Sequence, residues 1–160
     1  MHSPTHGGKH ADGGFFSPLN YLNIRLEYLT ALVLTAVLVL THLRDINWLI
    51  FVLAFLYIDL IGYIPGLIRV FVKKSAYIEK PFYYAYNTTH SFVTALPVAV
   101  IGWYLIDARW SLLAIFLHLF GDRALLNNYT KDVNGPFEHY TPKPPLDRAD
   151  DADTPRASVS

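Results

Sequence analysis

The chain has 160 residues, 52% of them hydrophobic, and its formal net charge at pH 7 is zero. Soluble domains are usually about 45–50% apolar. Since the apolar residues are gathered in blocks, the composition favours a membrane protein. There is no cysteine, which excludes disulfides, thiolate nucleophiles and Cys-based metal centres. The balanced charge predicts no nucleic-acid partner.

The first 20 residues are polar and rich in glycine and histidine. No short apolar stretch follows a basic start, so we do not interpret them as a signal peptide. Glycine disfavours a helix here. We therefore predict that residues 1–20 form a flexible cytoplasmic arm.

Four apolar blocks follow, each close to the length of about 20 residues that crosses a hydrocarbon core. The links between the first and second blocks and between the third and fourth are very short. The sequence therefore predicts an all-α, polytopic membrane protein with four transmembrane helices, arranged as two antiparallel hairpins. The predicted spans are residues 23–43, 47–64, 87–106 and 110–126.

Proline and charge divide the rest of the chain. We expect Pro65 to stop or kink the second span and Pro97 to bend the third. Residues 67–86 mix basic and aromatic side chains, which is typical of an amphipathic segment at a membrane surface. We assign residues 21–131 to the transmembrane domain and residues 132–160, which are polar and Pro-rich, to a disordered cytoplasmic tail.

The distribution of basic residues predicts the orientation. With four spans, both termini and the long link share one side, and every Lys and Arg except Arg44 and Arg109 lies there. By the positive-inside rule, we expect a multi-pass protein of a plasma (bacterial inner) membrane with both termini in the cytoplasm. Membrane lipid is the predicted partner, and a homo-oligomer is also compatible.

Four ionisable residues lie inside the predicted spans. A charge at bilayer depth costs roughly 2.5–3.5 kcal/mol on insertion scales. His118 and Asp122 are four residues apart and share a helix face. The antiparallel hairpin brings His90 to a similar depth, and Asp59 lies in the same half of the second span. This pattern predicts a polar centre near the cytoplasmic leaflet.

Two imidazoles and two carboxylates are a suitable ligand set for zinc, manganese or iron. We predict Asp59, His90, His118 and Asp122 as ligands of a divalent metal. A metal could lower the pKa of a bound water to about 7 and supply a hydroxide nucleophile. Glu27 would be a base or a supporting group, and Arg123 would hold an anion at the surface. The predicted function is a metal-dependent hydrolase acting on a lipid or lipid-linked substrate.

Other interpretations stay open. His118 alone could be a packing residue, His90 a residue at a helix start, and Asp122 an ion-pair partner of Arg123. Together the four could form a hydrogen-bonded network of protonated Asp and neutral His, or the histidines could ligate haem b. The chain could then be a non-enzymatic accessory subunit of a larger membrane complex, or an oligomeric proton or ion conduit.

Three ordered motifs resemble those of a family of small four-helix bacterial integral membrane proteins: an Asp-containing second helix, Tyr-Asn-x-x-His and His-x-x-x-Asp-Arg. Here they lie at residues 59–63, 86–92 and 118–125. The resemblance covers roughly residues 25–131. Family members often continue Asp-Arg with a Gly-rich stretch, whereas this chain has Ala-Leu-Leu-Asn-Asn-Tyr at residues 124–129. The resemblance implies a four-helix fold and a polar site, but no reaction.

Overall fold

The computed structural model describes residues 17–106 and 108–140, which contain helices and no strand. The prediction of an all-helical protein is thereby confirmed for this part of the chain. The helices are α1 (Pro18–Thr41), α2 (Trp48–Ile61), α3 (Ile64–Lys73), α4 (Lys80–Thr89), α5 (Phe92–Ile106) and α6 (Leu113–Gly121), which continues as a π-helical segment, Asp122–Leu126. The predicted arm, apart from residues 17–20, and the end of the predicted tail, residues 141–160, lie outside the described residues.

Helix α1 is long enough and apolar enough to cross a membrane. It begins at Pro18, earlier than the predicted span, because the Ser17 hydroxyl accepts a hydrogen bond from the Asn20 N–H. The fixed φ of Pro18 also suits the first helical position. The polar start of the chain therefore enters the helix before the apolar residues begin.

The second apolar block continues past its predicted end. Helix α2 ends at Ile61, near the expected stop, but the chain becomes helical again at Ile64. Pro65 lies in the first turn of α3, where its missing N–H breaks no intrahelical hydrogen bond. The stretch Trp48–Lys73 is thus a 26-residue candidate span, and the first part of the predicted surface link is helical.

The third block is broken at His90 and Ser91. Helices α4 and α5 meet there at 55°, and together they are long and apolar enough to form one broken span. The Ser91 hydroxyl accepts a hydrogen bond from the Val93 N–H at 3.2 Å, so Ser91 starts a new helix. Pro97 lies inside α5.

The fourth predicted span contains only the nine-residue α6 and the π-helical segment. The described residues therefore contain two candidate spans, or three with the broken pair, and the prediction of four spans in two hairpins is not confirmed. Helix α6 is instead the central helix, packed against α1, α2 and α5. Its apolar residues Ala114, Ile115 and Leu119 are buried.

Residues 127–140, here called the docked segment, pack against the helices, although we predicted a disordered tail from residue 132. The Phe137 side chain is 1% exposed, and its N–H donates to the Ala76 carbonyl at 2.8 Å. Gly66 makes room for the ring, because a Cβ there would overlap it. A single aromatic anchor thus orders a stretch whose composition is typical of a tail.

Candidate metal centre

The structure brings all four predicted ligands together. Asp59 lies on α2, His90 between α4 and α5, His118 on α6, and Asp122 at the start of the π-helical segment. His90 Nε2 lies 3.3 Å from Asp59 Oδ1 and 3.6 Å from Asp122 Oδ2. His118 Nε2 lies 3.7 Å and 3.6 Å from the same two oxygens. Each imidazole nitrogen therefore faces both carboxylates.

Three of the four facing atoms are buried and lack hydrogen-bond partners, whereas the Asp59 side chain is 33% exposed. His90 is 1% exposed and His118 is 6% exposed. The Nε2 atoms of both rings and Asp122 Oδ2 have no hydrogen bond. Buried polar atoms in proteins are nearly always paired, so such a group is unfavourable unless a further atom lies among them.

Part of the spacing resembles a coordination shell. In a tetrahedral zinc site with bonds of about 2.0–2.1 Å, neighbouring ligand atoms lie about 3.3–3.4 Å apart. The four nitrogen–oxygen separations of 3.3–3.7 Å are close to that value. Candidate ligand atoms of Asp59, His90 and His118 lie within 4.8 Å of one another, and Asp122 does not belong to this group. This buried group could hold a metal ion, and its geometry does not identify the metal.

The backbone around His90 fixes the orientation of its ring. Nδ1 lies 3.0 Å from the Tyr86 carbonyl, and donation to that carbonyl leaves the lone pair on Nε2, facing the carboxylates. The Tyr86 ring stacks on the imidazole with centroids 3.9 Å apart. A Cβ at Gly62 would overlap the Thr89 hydroxyl and lie 3.2 Å from His90 Nδ1. Glycine therefore lets α2 carry Asp59 close to His90.

Helix α6 supplies the other pair. His118 and Asp122 share one face, and the Phe55 ring lies 4.7 Å from the His118 ring. The helix widens to the π form from Asp122 onward, a distortion that is frequent at functional sites. Asn127 then adopts a left-handed conformation with φ of 60°, which turns the chain into the docked segment.

The structure does not support the roles predicted for Glu27 and Arg123. Glu27 is exposed on α1 and does not belong to the candidate ligand group. Arg123 is buried and donates to the Tyr28 hydroxyl and to the His90 carbonyl, both at 3.1 Å. Its guanidinium lies 4.3 Å from the Phe92 ring. Arg123 therefore supports the backbone of His90 rather than holding an anion at the surface.

A cavity of about 360 Å³ opens beside the centre. The carboxylates Asp59 and Asp122 line it, and so do Tyr63, Lys131 and Glu138. The lining thus combines two candidate metal ligands with a second polar group from the docked segment. A molecule in the cavity would meet both.

Lys131 and Glu138 form that second group. Lys131 Nζ lies 3.6 Å from Glu138 Oε2, and the Tyr63 hydroxyl donates to the same oxygen at 3.0 Å. Burial lowers the pKa of Lys131, with Glu138 opposing the change. Burial alone would raise the pKa of Glu138, but hydrogen bonds from the His139 N–H, Tyr63 and Lys131 lower it. The lowered pKa keeps Glu138 ionised near neutral pH.

Asn87 on α4 connects the helix that leads to His90 with the docked segment that carries Lys131. Its side chain donates to the Lys131 carbonyl at 2.9 Å and accepts from the Lys131 N–H at 2.7 Å. The asparagine of the Tyr-Asn-x-x-His motif thus places Lys131 beside His90. Lys131 and Glu138 were not predicted as site residues, because both follow the last apolar block. Phe137, an aromatic residue in a polar stretch, is the sequence feature that indicates packing of this segment.

Comparisons with protein-family models, curated proteins and solved structures find no match for this chain. The resemblance to the four-helix bacterial family therefore stays a prediction. The function has to be inferred from the geometry of the site.

Proposed function

We propose that this protein is a membrane-embedded, metal-dependent hydrolase whose metal is held by Asp59, His90, His118 and Asp122. The observation that carries the proposal is the convergence of Asp59, His90 and His118 into a group that could hold a metal ion, with Asp122 Oδ2 beside both imidazoles. The proposed substrate is a lipid or a lipid-linked compound, met near the cytoplasmic leaflet.

Charge balance supports a divalent cation. Two carboxylates among apolar helices would leave uncompensated negative charge, which is unfavourable in a low-dielectric environment. A divalent ion neutralises both, and the two imidazoles bind it in their neutral form. Zinc, manganese and iron(II) all accept this combination of nitrogen and oxygen ligands. The metal would act as a Lewis acid and would lower the pKa of a bound water to about 7.

The chain itself supplies a base in the cavity. Glu138 is held by Tyr63 and Lys131 and is ionised near neutral pH. In hydrolysis, the oxygen of water bonds to the attacked carbon or phosphorus, and the bond to the leaving oxygen breaks. Glu138 lines the same cavity as Asp59 and Asp122, and in the proposed reaction it accepts the proton of that water and returns it to the leaving oxygen. It takes the role that we had predicted for Glu27.

The surroundings of the cavity support a substrate with a polar head and an apolar chain. Leu126 lines the cavity and is exposed, and Leu60 and Ile61, next to Asp59 on α2, are exposed as well. The docked segment contributes the charged part of the lining. An apolar helix surface thus meets a polar cavity at one place, as the binding of a lipid head group requires. With the predicted four-span topology, the excess of Lys and Arg on the side of the centre would favour the cytoplasmic leaflet.

Elemental analysis of the detergent-purified protein by mass spectrometry tests the metal centre. We expect about one metal ion per chain in the wild type and none in His118→Ala, because loss of one of four ligands opens the shell. His42→Ala is the matched control, since His42 stacks on Trp110 instead of belonging to the ligand group. Far-ultraviolet circular dichroism should show equal helix content in all three proteins.

A wild type that binds none of zinc, manganese or iron(II), even after reconstitution, would overturn the proposal. The four side chains would then form a hydrogen-bonded network. Proton flux into liposomes that depends on Asp59 would favour the conduit, and copurification of a stoichiometric partner would favour the accessory subunit.

A further inference from the structure

The cation that lines the cavity, Lys131, is held in a fixed position. Its Nζ lies 4.8 Å from the ring centroids of both Tyr86 and Phe137 and 5.5 Å from that of Tyr63. Asn87 holds its backbone through two hydrogen bonds. Cation–π contacts and two backbone hydrogen bonds therefore fix the position of Lys131 in the cavity lining.

The contacts that Lys131 makes with the protein do not use all three N–H donors of its ammonium group. An ammonium group has three N–H donors, and aromatic rings offer no conventional acceptor. Glu138 Oε2 lies at the rather long distance of 3.6 Å and already accepts from Tyr63. The Lys131 side chain is 13% exposed. An oxygen-rich anion in the cavity would offer it further acceptors.

The other charged part of the cavity determines when such an anion can bind. Without a metal, the carboxylates of Asp59, Asp122 and Glu138, which all line the cavity, would repel it. With a divalent ion on Asp59 and Asp122, the cavity would present a metal cation beside the ammonium group that is paired with Glu138. A phosphoryl group suits this pair, because its several oxygens can contact both cations at once. The cavity volume of about 360 Å³ is within the usual range for small-molecule sites.

We propose that the cavity binds a phosphoryl group whose oxygens are shared between the metal centre and the Lys131 ammonium. This inference rests on the proposed metal centre and narrows its substrate class to compounds that carry phosphate. The source is either a phospholipid head group or a soluble phosphate ester, and the chemistry of recognition is the same for both. Phosphate binding should therefore depend on the metal.

Cobalt(II) substitution tests the two proposals separately, because the visible absorption of protein-bound cobalt changes with its ligands. We expect inorganic phosphate to change the spectrum of the Co²⁺-loaded wild type. In Lys131→Met, the protein should still bind Co²⁺, but the dissociation constant for phosphate should rise about 10-fold or more, since a charge-assisted contact is lost. Lys80→Met is the control, because Lys80 is exposed and does not line the cavity.

The possible outcomes distinguish a failure of the metal centre from a failure of the phosphoryl site. Absence of Co²⁺ binding in the wild type would contradict the metal centre itself. Normal Co²⁺ binding without a response to phosphate, or with equal responses in Lys131→Met and Lys80→Met, would overturn the phosphoryl site alone. Should Lys131→Met fail to fold, equilibrium dialysis of the wild type with radiolabelled phosphate decides the question. Binding only to the metal-loaded protein supports the proposal, and equal binding without metal contradicts it.

Competition assigns the source of the phosphoryl group. Displacement of phosphate by short-chain phosphatidic acid at lower concentrations than by glycerol 3-phosphate supports the site and indicates a lipid head group. Equal displacement by the two supports the site and indicates a soluble ester. Displacement by acetate at the same concentrations as these compounds would overturn the assignment to phosphate.

Discussion

The outer surface of α1 exposes apolar side chains, whereas the centre between α2 and α6 buries polar ones. Leu34 and Leu40 on α1 are 61% and 65% exposed, whereas His90 and His118 are 1% and 6% exposed. A soluble protein would bury the leucines and expose the histidines. The inversion is expected when lipid surrounds the helices, because apolar side chains then gain little from burial in protein.

The two regions therefore require different things of the sequence. The outer surface needs only apolar side chains, and many substitutions would satisfy it. The centre needs particular residues, because His90 is positioned by Tyr86, Gly62 and Arg123 at once. Mutations should therefore be tolerated on the outer surface and costly around the centre.

The largest effect is expected for Phe137→Ala. Truncating a buried phenylalanine typically costs about 3–5 kcal/mol, and Phe137 is the anchor of the docked segment. Hydrogen exchange measured by mass spectrometry should show loss of protection for two amides. The Phe137 N–H donates to Ala76 in the link before α4, and the Lys131 N–H donates to Asn87 on α4. The protection of α1 should stay unchanged.

Tyr77→Ala is the control for that variant, because Tyr77 is also aromatic but is exposed. Its exchange pattern should match the wild type. Full protection of residues 127–140 in Phe137→Ala would show that the segment docks without its anchor.

A smaller effect is expected for Gly62→Ala, which perturbs the centre without removing a ligand. The added methyl group would overlap the Thr89 hydroxyl beside His90, and such overpacking typically costs about 1–3 kcal/mol. The displaced imidazole should weaken metal affinity by about 10–100-fold, as loss of a supporting contact to a ligand does. Titration with Co²⁺ measures the change.

Gly121→Ala is the matched control, because a Cβ there would meet nothing within 4 Å. It should bind metal like the wild type although Gly121 precedes the ligand Asp122. Equal affinities in the two alanine variants would contradict the close-packing role of Gly62.

The smallest effect is expected at the exposed link between α3 and α4, where Arg69 donates two hydrogen bonds to Glu79. These hydrogen bonds lower the pKa of Glu79 from 4.5 to about 2. A carboxyl group with a lowered folded-state pKa stabilises the protein fully above its unfolded value and loses that contribution as pH falls through the folded value. The contribution should therefore decline between pH 4.5 and about 2.

Thermal unfolding of the wild type and Glu79→Gln across that range measures the contribution of the Arg69–Glu79 pair to stability. The difference between the two proteins should be larger at pH 6 than at pH 2. It should stay well below the other effects, since exposed ion pairs contribute little. A difference that is independent of pH would show that the Arg69–Glu79 pair has no influence on stability.

The predictions from sequence succeeded where one local rule determines the outcome. Apolar blocks specify helices that suit a membrane, and the i, i+4 spacing of His118 and Asp122 places them on one face. The break between α4 and α5 at His90–Ser91 was not predicted, because a serine cap starts a helix there. The four predicted spans are not confirmed, since the fourth apolar block forms the short central helix α6 and the π-helical segment.

The sequence by itself determined the helical class, the apolar character of the outer surface and the four residues of the centre. Only the tertiary structure decided that Arg123 supports His90, that Glu27 lies apart, and that residues 127–140 bring Lys131 and Glu138 to the cavity. The physical reason is the range of the interactions. Helix formation and apolarity are read from neighbouring residues, whereas Phe137 against Gly66 and Asn87 with Lys131 are contacts between distant parts of the chain, which no local pattern records.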